Sequence, residues 1–109
     1  MDGALLECRF ALGDGSAVLY VAGELDVSSA PALQHAVARS LDGQGGAFRL
    51  DVRGLRFMDS SGAKALVHAH NRVESLGRHF VVVSPTRPVR RVLDVLGLDQ
   101  VLDIEDHHA

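Results

Sequence analysis

Apolar and polar positions alternate at the start of the chain. Leu6, Cys8, Phe10 and Leu12 alternate with Glu7, Arg9 and Ala11. Period two of this kind predicts a strand with one buried face. Gly13-Asp14-Gly15-Ser16 is turn chemistry, so Ala17 to Ala22 is expected to return as the partner of a hairpin. That run is apolar on both faces, which suits a strand away from the sheet edge. Gly23-Glu24-Leu25-Asp26 ends it. Ser28 and Ser29 then offer N-caps, and Pro31 is allowed in a first helical turn. Leu33, Val37 and Leu41 form a stripe at helical spacing. The glycine-rich stretch from Asp42 to Gly46 stops that helix.

Phe48, Leu50 and Val52 alternate with Arg49, Asp51 and Arg53 and predict a third strand. After Gly54 to Met58, Asp59-Ser60-Ser61-Gly62 opens a helix that runs to about Leu76, with Gly77 as its stop. Its expected buried line is Leu66, Ala69, Val73 and Leu76, with Lys64, His68, Asn71 and Ser75 opposite. His79 to Val83 reads as a fourth strand and Val89 to Leu96 as a short helix stopped by Gly97. Val101, Leu102 and Ile104 suit a last short strand. The order β-β-α-β-α-β-α-(β) implies an α/β domain: one mixed sheet with an initial antiparallel hairpin, parallel pairs after it, and helices packed against it. We expect a single domain over residues 1–109, with its core at about 5–104 and a flexible tail at 105–109.

Charge narrows the partners. The balance is -3, from 11 basic and 14 acidic residues, so no basic footprint for nucleic acid is present. The longest unbroken apolar run, Ala17 to Ala22, is far short of the ~20 residues a membrane helix needs. No basic segment precedes an apolar one at the N-terminus, so no signal peptide is expected. One cysteine, Cys8, cannot form an internal disulfide and reads as a small buried apolar side chain. A reducing, cytoplasmic setting fits.

Asp59-Ser60-Ser61-Gly62 follows a strand and opens a helix, where free N–H groups and the helix dipole favour an added anion. The same residues are ordinary helix caps, and composition alone favours capping. A nucleophile elbow centred on Ser60 would need glycine where Met58 stands. His68 and His70 are two apart on a helix and point about 200° apart, so they do not form a metal pair. His107 and His108 belong to the tail, and no metal site is expected. His70 borders the apolar stripe and reads as a half-buried side chain. Gly43-Gln44-Gly45-Gly46 follows a helix rather than preceding one, the wrong order for a phosphate loop.

Three segments together resemble a known family. Phe57-Met58-Asp59-Ser60-Ser61-Gly62 resembles the phosphorylation segment of bacterial anti-sigma factor antagonists, members of the STAS class. Gly23-Glu24-Leu25-Asp26 with Ala30-Pro31-Ala32-Leu33 resembles an earlier motif of that family, and Val89, Arg91, Leu93, Gly97 and Leu98 resemble its closing helix and turn. The three occur in the family's order and span about Val18 to Leu102.

The resemblance implies partner switching. An antagonist binds an anti-sigma factor, which is also an ATP-dependent serine kinase, and so frees a sigma factor. The implied phosphorylation site is Ser60, with Ser61 the second choice. Asp26 and Asp59 match acidic positions beside it, and Ser61, Gly62 and Lys64 complete its surroundings. A separate phosphatase would restore the active form. The ATP would belong to the kinase, leaving this chain no cofactor and no catalysis. The family commonly has Leu-Gly after this glycine, whereas Ala63-Lys64 stands here. The alternative is a STAS module of a transport or signalling complex, or one that binds a nucleotide or lipid.

Overall fold

The computed structural model describes residues 6–13, 16–41 and 46–106. The expected turn at Asp14-Gly15, most of the 42–46 stop and the histidines of the tail lie outside them. The elements follow the expected order: β1 (Leu6–Gly13), β2 (Ser16–Leu25), α1 (Ala30–Ser40), β3 (Phe48–Met58), α2 (Ser60–Ser75), β4 (Phe80–Val83), α3 (Arg87–Val95), a 3-10 turn (Leu98–Gln100) and β5 (Asp103–Glu105). The sheet order is β1-β2-β3-β4-β5. β1 is antiparallel to β2, and the remaining neighbours are parallel.

Register explains the core. Phe10, Leu19, Leu50, Val82 and Ile104 form one row across the sheet, and Leu12, Ala17, Phe48 and Phe80 form the next. Most of these join one buried cluster with Leu33 and Val37 of α1, Leu66, Ala69 and Val73 of α2, and Val89 and Leu93 of α3. Phe48 and Phe80 stack with centroids 6.2 Å apart, and His70 meets Phe80 edge-on at 5.9 Å. His70 is half-buried, as its place beside the stripe implied. Among the described residues, the opposite face of the sheet carries no helix. There Arg9 lies over the Tyr20 ring at 4.3 Å, and Asp51 pairs with Arg53 at 3.6 Å. Alternate positions of β2 therefore differ: Ala17, Leu19 and Val21 are buried, while Val18, Tyr20 and Ala22 are half-buried.

The structure departs from the sequence expectation at several points. Phe10 and Leu12 are 37% and 55% exposed, because α1 covers β1 only around Leu6 and Cys8. Leu76 is 58% exposed, since it forms the C-cap of α2 beyond the last packed turn. β2 and β3 both run further than expected, because parallel pairing resumes after irregularities and brings Glu24 beside Phe57 and Leu25 beside Met58. The last strand is displaced: Leu98–Gln100 makes a 3-10 turn, Leu102 is buried behind it, and β5 takes in Glu105. Glu105 pairs with Arg49, and Asp106 with Arg90, so the expected tail is ordered at its first two positions. Cys8 is half-buried and its thiol is pushed up by that burial, against a smaller pull from Arg39.

His79 ties α2 to β5. Its ring nitrogens face Asp103 at 2.7 Å and Glu74 at 3.4 Å. The bond to Asp103 and both carboxylate charges raise its pKa above 6.5. A raised folded pKa stabilises the fold below the ordinary value and stops doing so as pH rises through the folded one. The ring is exposed, so the contribution is small, under about 1 kcal/mol. The parent is expected to lose a little Tm between about pH 5.5 and 8 as His79 deprotonates, and His79→Gln to flatten that fall, both read by calorimetry.

Candidate functional site

The site forms where β2 and β3 end side by side and α1 and α2 begin. Asp59 leaves β3 in extended conformation and caps α2, its Oδ1 accepting from the Gly62 N–H at 2.9 Å. The Asp59 carbonyl starts the helix ladder by accepting from the Ala63 N–H, also at 2.9 Å. Ser60 and Ser61 thus occupy the first turn, where N–H groups lack helical partners and the dipole is positive. Ser60 is exposed and Ser61 half-buried. Lys64 is exposed one turn further on, at the i+4 spacing that shares a face with Ser60.

Gly62 joins this helix to the neighbouring strand. A Cβ on it would lie 2.2 Å from the Leu25 carbonyl oxygen and 2.8 Å from Cγ of Met58. No real side chain fits at that distance. The Asp59 N–H also reaches the Leu25 carbonyl, at 3.4 Å. The head of α2 is therefore seated on the last residue of β2, and the next residue along that strand is Asp26.

Asp26 organises the second half of the site. Its Oδ1 accepts from the Ser28 N–H at 3.0 Å, the Ser29 N–H at 3.1 Å and the Ser28 hydroxyl at 2.8 Å. These bonds, led by the Ser28 hydroxyl, hold its carboxyl below the ordinary value of 3.8. No side chain performs the helix-capping expected of Ser28 and Ser29: the Asp26 carboxylate closes the turn ahead of α1, and its backbone carbonyl accepts from the Ala30 N–H at 2.9 Å. Ser29 does sit at the N-cap of α1, yet its side chain makes no cap bond. Its hydroxyl is buried, donates to the Glu24 carbonyl at 2.7 Å and accepts from the Asp26 N–H at 3.0 Å. Ser29 locks the turn whose carboxylate Asp26 supplies.

A groove of about 530 Å³ runs between α1 and α2 from this corner. Val27, Ala30, Pro31 and Ala65 give it apolar walls, with Ser61 and Lys64 at one side. His35 and His68 line opposite walls. Gln34 bridges the helices beneath, donating to the Ala65 carbonyl at 3.2 Å. Sequence reasoning missed this groove. Its one signal was Val27, an apolar residue between Asp26 and Ser28 that turns out to be 73% exposed. Gly62→Ala is expected to cost about 1–3 kcal/mol by forcing α2 off β2, read as a lower urea midpoint with unchanged m-value.

The chain is similar to proteins of known family. A model of the STAS domain matches residues 11–109. The anti-sigma-B factor antagonist of Bacillus subtilis (strain 168) is 31% identical over 84 residues, 77% of this chain and 76% of that protein. The anti-sigma-F factor antagonist RsfB of Mycobacterium tuberculosis (strain ATCC 25618 / H37Rv) is 30% identical over 87 residues, 80% of this chain and 70% of its own. The crystal structure of an anti-sigma factor antagonist from Mycobacterium paratuberculosis superposes with a TM-score of 0.81 at 28% identity, covering 92% of this chain and 85% of that one. The matched residues and the shared fold place this chain in the STAS domain family, alongside proteins named anti-sigma factor antagonists.

Proposed function

We propose that this chain is an anti-sigma factor antagonist whose binding is switched by phosphorylation of Ser60. It binds an anti-sigma factor, which then releases its sigma factor, and that partner is also the serine kinase. The observation that carries this reading is the position of Ser60: exposed in the first turn of α2, beside the Asp59 cap and on the Lys64 face. The kinase transfers the γ-phosphoryl group of ATP to the Ser60 oxygen, the hydroxyl loses its proton, and ADP leaves. The nucleotide is the partner's, and this chain is substrate and binding module rather than enzyme. A phosphatase returns it to the binding form. The exchange takes place in the cytoplasm, and no helix among the described residues is long and apolar enough to cross a membrane.

The energetics favour a switch without refolding. The phosphate adds about -1.5 to -2 charges. In the free protein, water and the head of α2 accommodate it, the dipole contributing about 0.3–1 kcal/mol. Asp26 and Asp59 stand at the same corner, and the hydrogen bonds on Asp26 keep that carboxylate ionised. Under a docked partner the new charge is desolvated among acids, at a cost of several kcal/mol. About 2.7 kcal/mol already lowers affinity a hundredfold. The α1–α2 groove shares Ser61 and Lys64 with this corner, so a partner that covers Ser60 has apolar surface to bury next to it.

Incubation with the cognate kinase and Mg-ATP is expected to add one phosphoryl group, mapped to Ser60 by fragment mass spectrometry. Transfer to Ser61 alone, or no transfer by a kinase shown to bind, contradicts the reading. In calorimetric titration, Ser60→Ala is expected to bind the partner as the parent does, and Ser60→Asp about tenfold or more weakly. Equal affinities for the two variants remove charge as the switch.

A further inference from the structure

The sheet has two edges, and they are built differently. β5 is three residues long and carries Asp103 and Glu105. Short, charged strands are a usual means of blocking an edge. β1 is eight residues long and contains neither Lys nor Pro. Among the described residues no strand pairs with its outer side. Phe10 and Leu12 stand exposed along it. An unpaired row of N–H and C=O groups of this length is a template for another strand.

The side chains of β1 identify which strand. Leu6, Cys8, Phe10 and Leu12 lie on the helix side, and Glu7, Arg9 and Ala11 on the open side. Two copies can pair antiparallel about a two-fold axis normal to the sheet. Such an axis keeps like faces together only if it passes where a residue meets its own copy. An axis at Glu7 or at Arg9 sets like charges directly opposite each other, which is destabilising. An axis at Phe10 puts Arg9 opposite Ala11 and leaves both charges unmatched. An axis at Cys8 sets Glu7 of each copy opposite Arg9 of the other, and Leu6 opposite Phe10, each pair occurring twice.

We propose that this chain pairs with a second copy of itself through β1, antiparallel, with Cys8 on the two-fold axis. The surroundings fit that register. Arg9 lies inward over the Tyr20 ring of β2 in the free chain and swings toward the edge to meet Glu7 of the second copy. A groove of about 400 Å³ lies between β1 and α1, lined by Leu6, Cys8, Pro31 and Ala32 among others. Phe10 of the second copy, opposite Leu6, falls at that groove and buries its exposed ring there. One strand pair and two phenylalanines make a small interface, so the association is weak and concentration-dependent. Ser60 lies at the head of α2 rather than on β1, so this pairing leaves the phosphorylation site uncovered.

Sedimentation equilibrium of the reduced protein is expected to show a monomer–dimer equilibrium. Oxidation with copper-phenanthroline is expected to trap the dimer as a Cys8–Cys8 disulfide. Directly opposed residues have Cα atoms about 4.5–5.5 Å apart, within disulfide range. Glu7→Arg alone and Arg9→Glu alone should each weaken the dimer about tenfold by opposing like charges. The double swap should restore it to within about threefold of the parent, because each pair is again of opposite sign. Circular dichroism of each variant checks that the fold is kept. A parent that stays monomeric at the highest attainable concentration overturns the proposal, as does a double swap no better than the single ones. Protection of β1 amides from hydrogen exchange only when an anti-sigma factor is added assigns the edge to that partner and also overturns it.

Discussion

Gly62 meets the carbonyl of Leu25 with no space for even a methyl group between them, and the arrangement of the site follows from this contact. α2 can sit directly on the end of β2 only because the residue at that point lacks a side chain. The close seating brings the Asp59 N–H to the Leu25 carbonyl and puts the Asp26 turn beside the head of the helix. The parallel pairing of β2 with β3 delivers both strand ends to the same level, Leu25 opposite Met58. Two loops that are far apart in the chain, 26–29 and 59–62, become one surface.

That surface is rigid. Asp59 is used by the Gly62 N–H, and Asp26 by two N–H groups and a hydroxyl, so neither carboxylate swings freely. Ser29, buried beneath, fixes the turn that carries Asp26. A charge added at Ser60 therefore meets acids that do not move out of its way. Lys64, the exposed cation on the same helical face, is available to the phosphate in the free protein or to a partner's carboxylate in the complex.

The order of elements was legible because the periodicities of this chain are clean. β1, β3 and α2 each show one apolar set, and their placement followed. The helix opening at Asp59-Ser60-Ser61-Gly62 was also legible from its capping residues after a strand, while the choice of Asp59 as the cap came from the structure. Periodicity tells which side of an element is apolar, but not how far the neighbouring element reaches. That is why Phe10, Leu12 and Leu76 read as buried and are exposed. The part played by Asp26 came from resemblance alone, because serines after it have equal capping chemistry. Its capture of their N–H groups depends on the turn geometry that Ser29 sets from below. The α1–α2 groove depends on how two helices pack, which neither helix carries in its own pattern. Lys64 is the one lysine among the 11 basic residues of the chain, and the structure does not explain that preference for arginine.

The central claim is that a charge at one corner changes binding while the domain keeps its fold. Amide chemical shifts of the protein before and after phosphorylation test it most directly. The account predicts large changes confined to about residues 24–29 and 57–65, with the amides of the core strands and of α3 unmoved. Changes spread through β4, β5 and α3, or loss of dispersed signals, would mean that the phosphate acts by remodelling the domain and would contradict it.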